Sequence, residues 1–221
     1  MGIAERKERE RQHRRDMIID AAEKIFFSFG LDLATVDDIA EQAELSKGTI
    51  YLYFKNKEDL YLAVTGRGLK IMLEMFKEAV QEPKLGIDKV RAIGNAYYEF
   101  SKKHPDYFKA LLYFDVNISE ATDETSSART CQFLGEETSR IFAETIQIGV
   151  NDGSVRKDID PNLTAILFWG MSSGIIQLLS TKGKHLKEKH HLAIDMDEMV
   201  EYAYAFIRES LSPPKKGVKK L

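Results

Sequence analysis

One cysteine, Cys131, is all the cross-linking sulfur in 221 residues. An internal disulfide framework is excluded, and the composition fits a reducing cytosol. A lone cysteine of this kind reads as a small buried hydrophobe rather than a catalytic thiol. The chain has no internal repeat and no glycine loop of the kind that cradles phosphate. Nothing pairs a nucleophile with a base, so no enzyme constellation is expected. His185, His190 and His191 fall in a basic stretch, but no third ligand type stands at helical spacing, so neither a metal nor another cofactor is expected. The densely charged N-terminus lacks the apolar run of a signal peptide, which predicts a cytoplasmic protein. No Ser/Gly-rich linker divides the chain, so its parts should be coupled mechanically rather than tethered.

Charge is missing from one long stretch: Pro161 to Thr181 holds no charged residue over 21 positions. That length matches a bilayer span, and Gly170-Met171-Ser172-Ser173-Gly174 has the spacing of closely packed helix pairs. Asn162, Thr164, Ser172, Ser173 and Gln177 lower its hydrophobicity and no second span accompanies it, so the membrane reading is set aside. A soluble helix that is apolar all round is buried on all sides. This one is expected to lie half in its own domain and half in a partner subunit.

What is present is an ordinary soluble composition, 43% hydrophobic and 30% charged. The net charge of −3 conceals an uneven distribution. Residues 1–15 carry six basic and three acidic groups, and residues 213–221 carry four lysines and no acid, which leaves the body strongly acidic. An acidic body argues against general coating of nucleic acid. Basic groups gather instead in the N-terminal arm and around Lys47, Lys55 and Lys57.

The stretch from Thr35 to Lys57 organises the chain. Thr35 reads as an N-cap with Asp38 three residues on. Val36, Ile39, Ala40 and Ala43 then mark one apolar helical face. The pattern breaks at Glu44-Leu45, and Ser46 is a second N-cap. Ile50 and Phe54 point to one side of the following helix, with Lys47, Thr49, Tyr51 and Tyr53 largely off that stripe. Asn56 looks like a third cap, with Asp59 at its third helical position. Two short helices joined by a tight turn, the second polar and basic outside, form a helix-turn-helix. Hydroxyls, ammonium groups and a helix N-terminus are donors that grip phosphates. Gly48 costs about 1 kcal/mol relative to Ala in a helix, and a position without a side chain suits close approach to a DNA backbone.

Ser46-Lys47-Gly48-Thr49-Ile50-Tyr51-x-Tyr53-Phe54-x-x-Lys57-Glu58-x-Leu60 resembles the signature of the TetR family of bacterial transcriptional regulators. The resemblance covers about residues 14 to 62; beyond it, only length and all-helical layout agree. It implies a homodimeric repressor that reads a near-palindromic operator on double-stranded DNA and responds to a small-molecule effector. It also implies DNA contacts by Lys47, Gly48, Thr49, Tyr51, Tyr53 and Lys57, with Thr35 on a phosphate, and structural roles for Ile50 and Phe54. Two positions depart from the family pattern. Glu44 stands at a turn position that usually holds Gly, so the turn should be strained. Leu52 is apolar where many members are polar, which favours a thymine methyl contact.

The rest of the chain reads as all-α, about nine helices in total. Residues 1–13 form a flexible basic arm or a frayed helix extension, available to phosphates or a minor groove or simply solvated. Residues 14–56 form the DNA-binding domain, 57–212 a helical effector-binding and dimerisation domain, and 213–221 a disordered lysine-rich tail. Asp16 to Phe29 is a helix with Met17, Ile18, Ala21, Ala22, Ile25, Phe26 and Phe29 in one stripe, stopped by Gly30. A long helix from Lys57 to about Gln81 links the domains, with Gly66 and Gly68 allowing a bend or a close approach. Helices follow at Ile87 to Lys103, Asp106 to about Ile118, Arg129 to about Asn151, Pro161 to Thr181 and Asp195 to Leu211, with a basic loop from Thr181 to His191.

Aromatic density between Tyr97 and Trp169 suggests a mainly apolar effector, with Tyr97, Phe100, Tyr107, Phe133 and Trp169 as pocket candidates. Gly170, Gly174, Met199, Ala203 and Phe206 are the candidate dimer contacts, in an intersubunit bundle of two helices per chain. Two other classes compete: a helical enzyme or metal-binding bundle, which needs converging titratable groups, and a constitutive architectural DNA binder, which needs no large aromatic-rich helical portion.

Overall fold

The computed structural model describes residues 2–117, 125–190 and 195–214. Among them are nine helices and no strand: α1 (Ile3–Leu33), α2 (Val36–Gln42), α3 (Lys47–Tyr51), α4 (Lys57–Ala79), α5 (Gly86–Lys103), α6 (Pro105–Asn117), α7 (Ser126–Asp152), α8 (Pro161–His190) and α9 (Met196–Leu211). Packing divides the chain into two compact units, residues 1–70 with 106–134, and residues 71–105 with 135–221. The division falls inside α4 rather than at residue 57, because the first half of that helix packs with α1, α6 and the start of α7: Tyr61 meets Phe26 and Tyr113, and Leu62 accepts from Cys131.

In the first unit α1 is helical from Ile3 and passes the expected boundary at residues 13 and 14 without a break. The extension has no apolar face, so its support is local. The Gly2 N–H donates to Glu5 Oε2 at 2.9 Å, and Arg6 pairs with Glu10 one turn on. Gly30 interrupts α1 with φ 76° and ψ 168°, the helix stop read from the sequence. The buried stripe is Ile18, Ile19, Ala21, Ala22 and Phe26, whereas Met17 and Phe29, expected inside, are exposed. Phe29 sits immediately before the Gly30 break, where the helix no longer follows the core. Ile39, Ile50, Phe54, Leu60 and Val64 complete this core. Arg15 lies over the Phe54 ring at 5.0 Å, a cation on an aromatic face. Gly68 makes a close approach possible: a Cβ there would stand 2.9 Å from Tyr107 Cδ1. Tyr107 in turn donates to Glu23 at 2.6 Å. Cys131 is buried with its thiol donating to the Leu62 carbonyl, and burial, with Asp59 adding, pushes the thiol up to about 12. It is inert, as its isolation in the sequence implied.

The second unit is built on Met72, Phe76, Ile93, Phe100, Ile146 and Phe168. The turn after α7 caps α5: Asp152 Oδ2 accepts from the Gly86 N–H at 2.7 Å and Ser154 Oγ from the Ile87 N–H at 3.1 Å. Those donors are otherwise orphaned at a helix start. Helix α8 continues to His190, over the stretch expected as a basic loop from Thr181. Lys, Leu and Glu in that stretch are good helix formers even without an apolar stripe. Asp195 caps α9, accepting from the N–H groups of Asp197 and Glu198. Tail residues 215–221 and the side chains of His185, His190 and His191 lie outside the description.

Candidate functional site

The helix-turn-helix forms because each of its starts carries a cap. Thr35 Oγ1 accepts from the Asp38 N–H, and Asp38 Oδ2 accepts from both the Thr35 N–H at 3.0 Å and the Thr35 hydroxyl at 2.6 Å. This is the capping box read from the sequence, and it lowers the Asp38 pKa through the Thr35 hydroxyl first. Ser46 Oγ accepts from the Thr49 N–H at 3.1 Å, and its hydroxyl shares a 2.8 Å hydrogen bond with that of Thr49. Asn56 Oδ1 accepts from the Asp59 N–H at 2.8 Å. Between α2 and α3 the Leu45 N–H reaches the Ala40 carbonyl and the Glu44 N–H the Glu41 carbonyl. These are the paired bonds of a Schellman C-terminus. Its left-handed residue is Glu44, with φ 55°, among the described residues the one position of this kind not held by glycine. The strain expected at this turn is present.

Ile50 and Phe54 are buried and fix α3 in place. The opposite side is open. Leu52 is 76% exposed, and Tyr51 and Lys47 are exposed beside it. Gly48 is also exposed, and a Cβ there would meet nothing within 4 Å but Ser46 Oγ at 3.8 Å. Lys47 Nζ bonds Asp37 Oδ2 at 2.7 Å, and that bond raises its pKa above the ordinary lysine value. Both groups are exposed, and such pairs contribute little, so the Lys47 ammonium is only weakly committed to Asp37. Asp37 is a participant that no sequence pattern exposed, since ten residues and a turn separate it from Lys47.

Two nominated DNA contacts have other work. Lys57 Nζ donates to the Leu31 carbonyl at 2.7 Å and the Ala34 carbonyl at 3.0 Å. These carbonyls follow the Gly30 break, and an ammonium group near a helix C-terminus satisfies them. Lys57 is a tie between α1 and α4. The Thr35 hydroxyl is engaged twice with Asp38, as given above, so Thr35 is a cap. On the α1 extension Lys7, Arg11 and Arg14 recur at helical spacing and are exposed, whereas Arg15 turns inward to Phe54 and Ser127.

The five effector candidates are divided between the two units. In the second unit Tyr97 and Trp169 stack with ring centroids 5.0 Å apart, and the Tyr97 hydroxyl bonds Ser173 Oγ at 2.7 Å. Phe100 is fully buried core there. Tyr107 belongs to the first unit and is held by Glu23, and Phe133, also there, is 60% exposed. A cavity of about 190 Å³ in the second unit is walled by other side chains, from α5, α7, α8 and α9. Of the dimer candidates, Gly170 and Gly174 are exposed with nothing within 4 Å of a Cβ, Phe206 is 58% exposed, and Met199 and Ala203 are half-buried. Leu163, Ile166, Leu167 and Tyr202 add to an apolar face on α8 and α9 that none of the described residues covers. Among the described residues Pro161–Thr181 is the one stretch long and apolar enough to cross a membrane, and no group of three His, Cys, Asp or Glu could hold a metal.

A helix-turn-helix with a capped, solvent-facing second helix, followed by an all-helical remainder, defines a DNA-binding transcriptional regulator. Residues 18–64 match the sequence profile of bacterial regulatory proteins of the tetR family. The chain is 29% identical, over 90% of its length and 97% of the relative's, to an uncharacterised HTH-type transcriptional regulator of Bacillus subtilis, YhgD. It is 26% identical to the fatty acid metabolism regulator protein of the same organism, over 69% of this chain and 76% of that one. Among solved structures, the regulator FadR from Bacillus subtilis in complex with stearoyl-CoA superposes with a TM-score of 0.67 at 18% identity, covering 88% of this chain and 98% of that one. The likeness to tetR-family regulators is thus carried in sequence by residues 18–64 and in fold by most of the chain.

Proposed function

We propose that the chain is a homodimeric cytoplasmic repressor, released from a near-palindromic operator by a mainly apolar small molecule. The observation that carries the DNA part is the open face of α3: Lys47, Gly48 and Tyr51 are exposed, Thr49 and, just beyond the helix, Tyr53 stand half-buried at its edge, and Ile50 and Phe54 are locked beneath. Lys47 exchanges Asp37 for phosphate, Gly48 admits the DNA backbone, the hydroxyls donate, and Leu52 meets a thymine methyl. The stripe Lys7, Arg11 and Arg14 on the helical extension adds phosphate contacts.

The partner copy covers α8 and α9. Gly170 and Gly174 permit close approach, and Met199, Ala203 and Phe206 supply apolar area, which makes an isologous interface. The stearoyl-CoA held by the fatty acid regulator from Bacillus subtilis supports an apolar effector here, bound in the second unit. Ligand binding favours one setting of α4, the helix shared by both units, and so changes the separation of the two recognition helices. In this reading the chain carries out no catalysis and needs no metal. Sequencing genomic fragments captured by the protein, then titrating apolar compounds against the captured operator, tests the proposal. Capture without sequence enrichment, or release by metal ions alone, contradicts it.

A further inference from the structure

The cavity in the second unit has a construction specific enough to name its occupant. Ile87 and Val90 of α5, Phe142 of α7 and Phe168 of α8 give it apolar walls. The Tyr204 ring of α9 enters only because residue 94 is glycine: a Cβ on Gly94 would lie 2.6 Å from Tyr204 Cε1. Burial, followed by the nearby Glu201, raises the Tyr204 hydroxyl above the ordinary phenol value, so it keeps its proton and is a donor. Two arginines stand among the lining groups. Arg91 pairs with Glu201 at 2.9 Å and Arg208 with Asp88 at 3.1 Å, all four groups being exposed. Such pairs are weak in water, so either guanidinium can turn onto a ligand carboxylate, where two parallel hydrogen bonds are available.

Size then selects. An apolar cavity of about 150 Å³ accommodates benzene, so a volume of about 190 Å³ holds one ring with a short substituent. Three aromatic walls favour a ring over an aliphatic chain of equal volume through edge and offset stacking. We propose that this cavity binds a small aromatic carboxylate, its ring among Phe142, Phe168 and Tyr204 and its carboxylate on Arg91 and Arg208. The inference deepens the effector reading given above and makes the effector a single-ring acid.

Calorimetric titration of the full-length protein with phenylacetate, benzyl alcohol and octanoate tests it. Phenylacetate binds, and benzyl alcohol, which lacks the charge, binds about tenfold more weakly. The double variant Arg91→Gln with Arg208→Gln lowers phenylacetate affinity by about tenfold and leaves benzyl alcohol unchanged. Ser172→Phe, which fills the cavity, removes both. Because that variant can disturb the core, the arginine pair at the exposed rim carries the comparison by itself. Equal phenylacetate binding by wild type and double variant, no binding at millimolar concentration, or preference for octanoate overturns the proposal. DNA release by long acyl compounds that do not compete with phenylacetate overturns it too, while leaving the regulator reading intact. Arginine-dependent phenylacetate binding by a protein that recognises no operator upholds the cavity and removes the regulator reading instead.

Discussion

Replacing Lys57 by Met keeps the aliphatic stem and removes the ammonium group, and so separates two roles for one residue. The structure has Nζ donating at 2.7 and 3.0 Å to the carbonyls of Leu31 and Ala34. Hydrogen bonds from charged donors contribute about 1.5–3 kcal/mol each when buried. Lys57 is only half-buried, so water replaces part of the loss, and about 2 kcal/mol for the pair is the expected destabilisation. For a chain of this size that lowers the melting midpoint by about 4–8 °C. A phosphate contact has a different signature: its loss reduces the slope of log K against log salt by about 0.9. The assays are a thermal melt of the free protein and operator affinity at several salt concentrations below the melt. The expected result is a lower midpoint with an unchanged salt slope. An unchanged midpoint with a slope smaller by about one would show that Lys57 serves DNA and that the tie to α1 is incidental.

Three further outcomes follow from the same geometry. Glu44→Gly relieves a left-handed residue, gaining about 1–2 kcal/mol of strain less about 0.4–1 kcal/mol of unfolded-chain entropy; calorimetry should show a small rise in stability, and a fall would mean that Glu44 makes a compensating contact. Asp37→Asn frees Lys47 and removes a negative charge beside the DNA, so operator affinity at low salt rises several-fold with a steeper salt dependence; weaker binding would show that Asp37 positions Lys47 rather than occupying it. Sedimentation of the wild type at micromolar concentration should give a dimer and Gly174→Leu a monomer or aggregates; a monomeric wild type would refute the α8 and α9 interface.

Local chemistry was legible in the sequence, and distant partnerships were not. Thr35, Ser46 and Asn56 could be read as caps because a cap and its acceptor lie within three residues. The Glu44 turn could be read for the same reason. The helical state of residues 182–190 was not legible, and that of residues 3–13 stood only as one of two alternatives, because helix there rests on propensity rather than apolar periodicity and, in the first stretch, on i,i+4 pairs such as Arg6 with Glu10. The partners of Lys57 lie 26 and 23 residues back along the chain. Its spacing matched a DNA-contact motif while its geometry made it a tie. Of the aromatics between Tyr97 and Trp169, most fill a core, while Phe142 and Phe168 wall the cavity. Phe133 points to solvent, and the cavity is closed by Tyr204 and Arg208 from the far end of the chain.

Footprinting on enriched genomic fragments is the most direct test of the central claim, that the open face of α3 reads DNA in a two-fold dimer. The account predicts protection of an inverted repeat whose half-sites face the same side of the duplex, about one turn or a multiple of it apart. It also predicts loss of that protection in Tyr51→Ala without loss of fold. Uniform protection along any fragment, or a footprint unchanged by Tyr51→Ala, would contradict it.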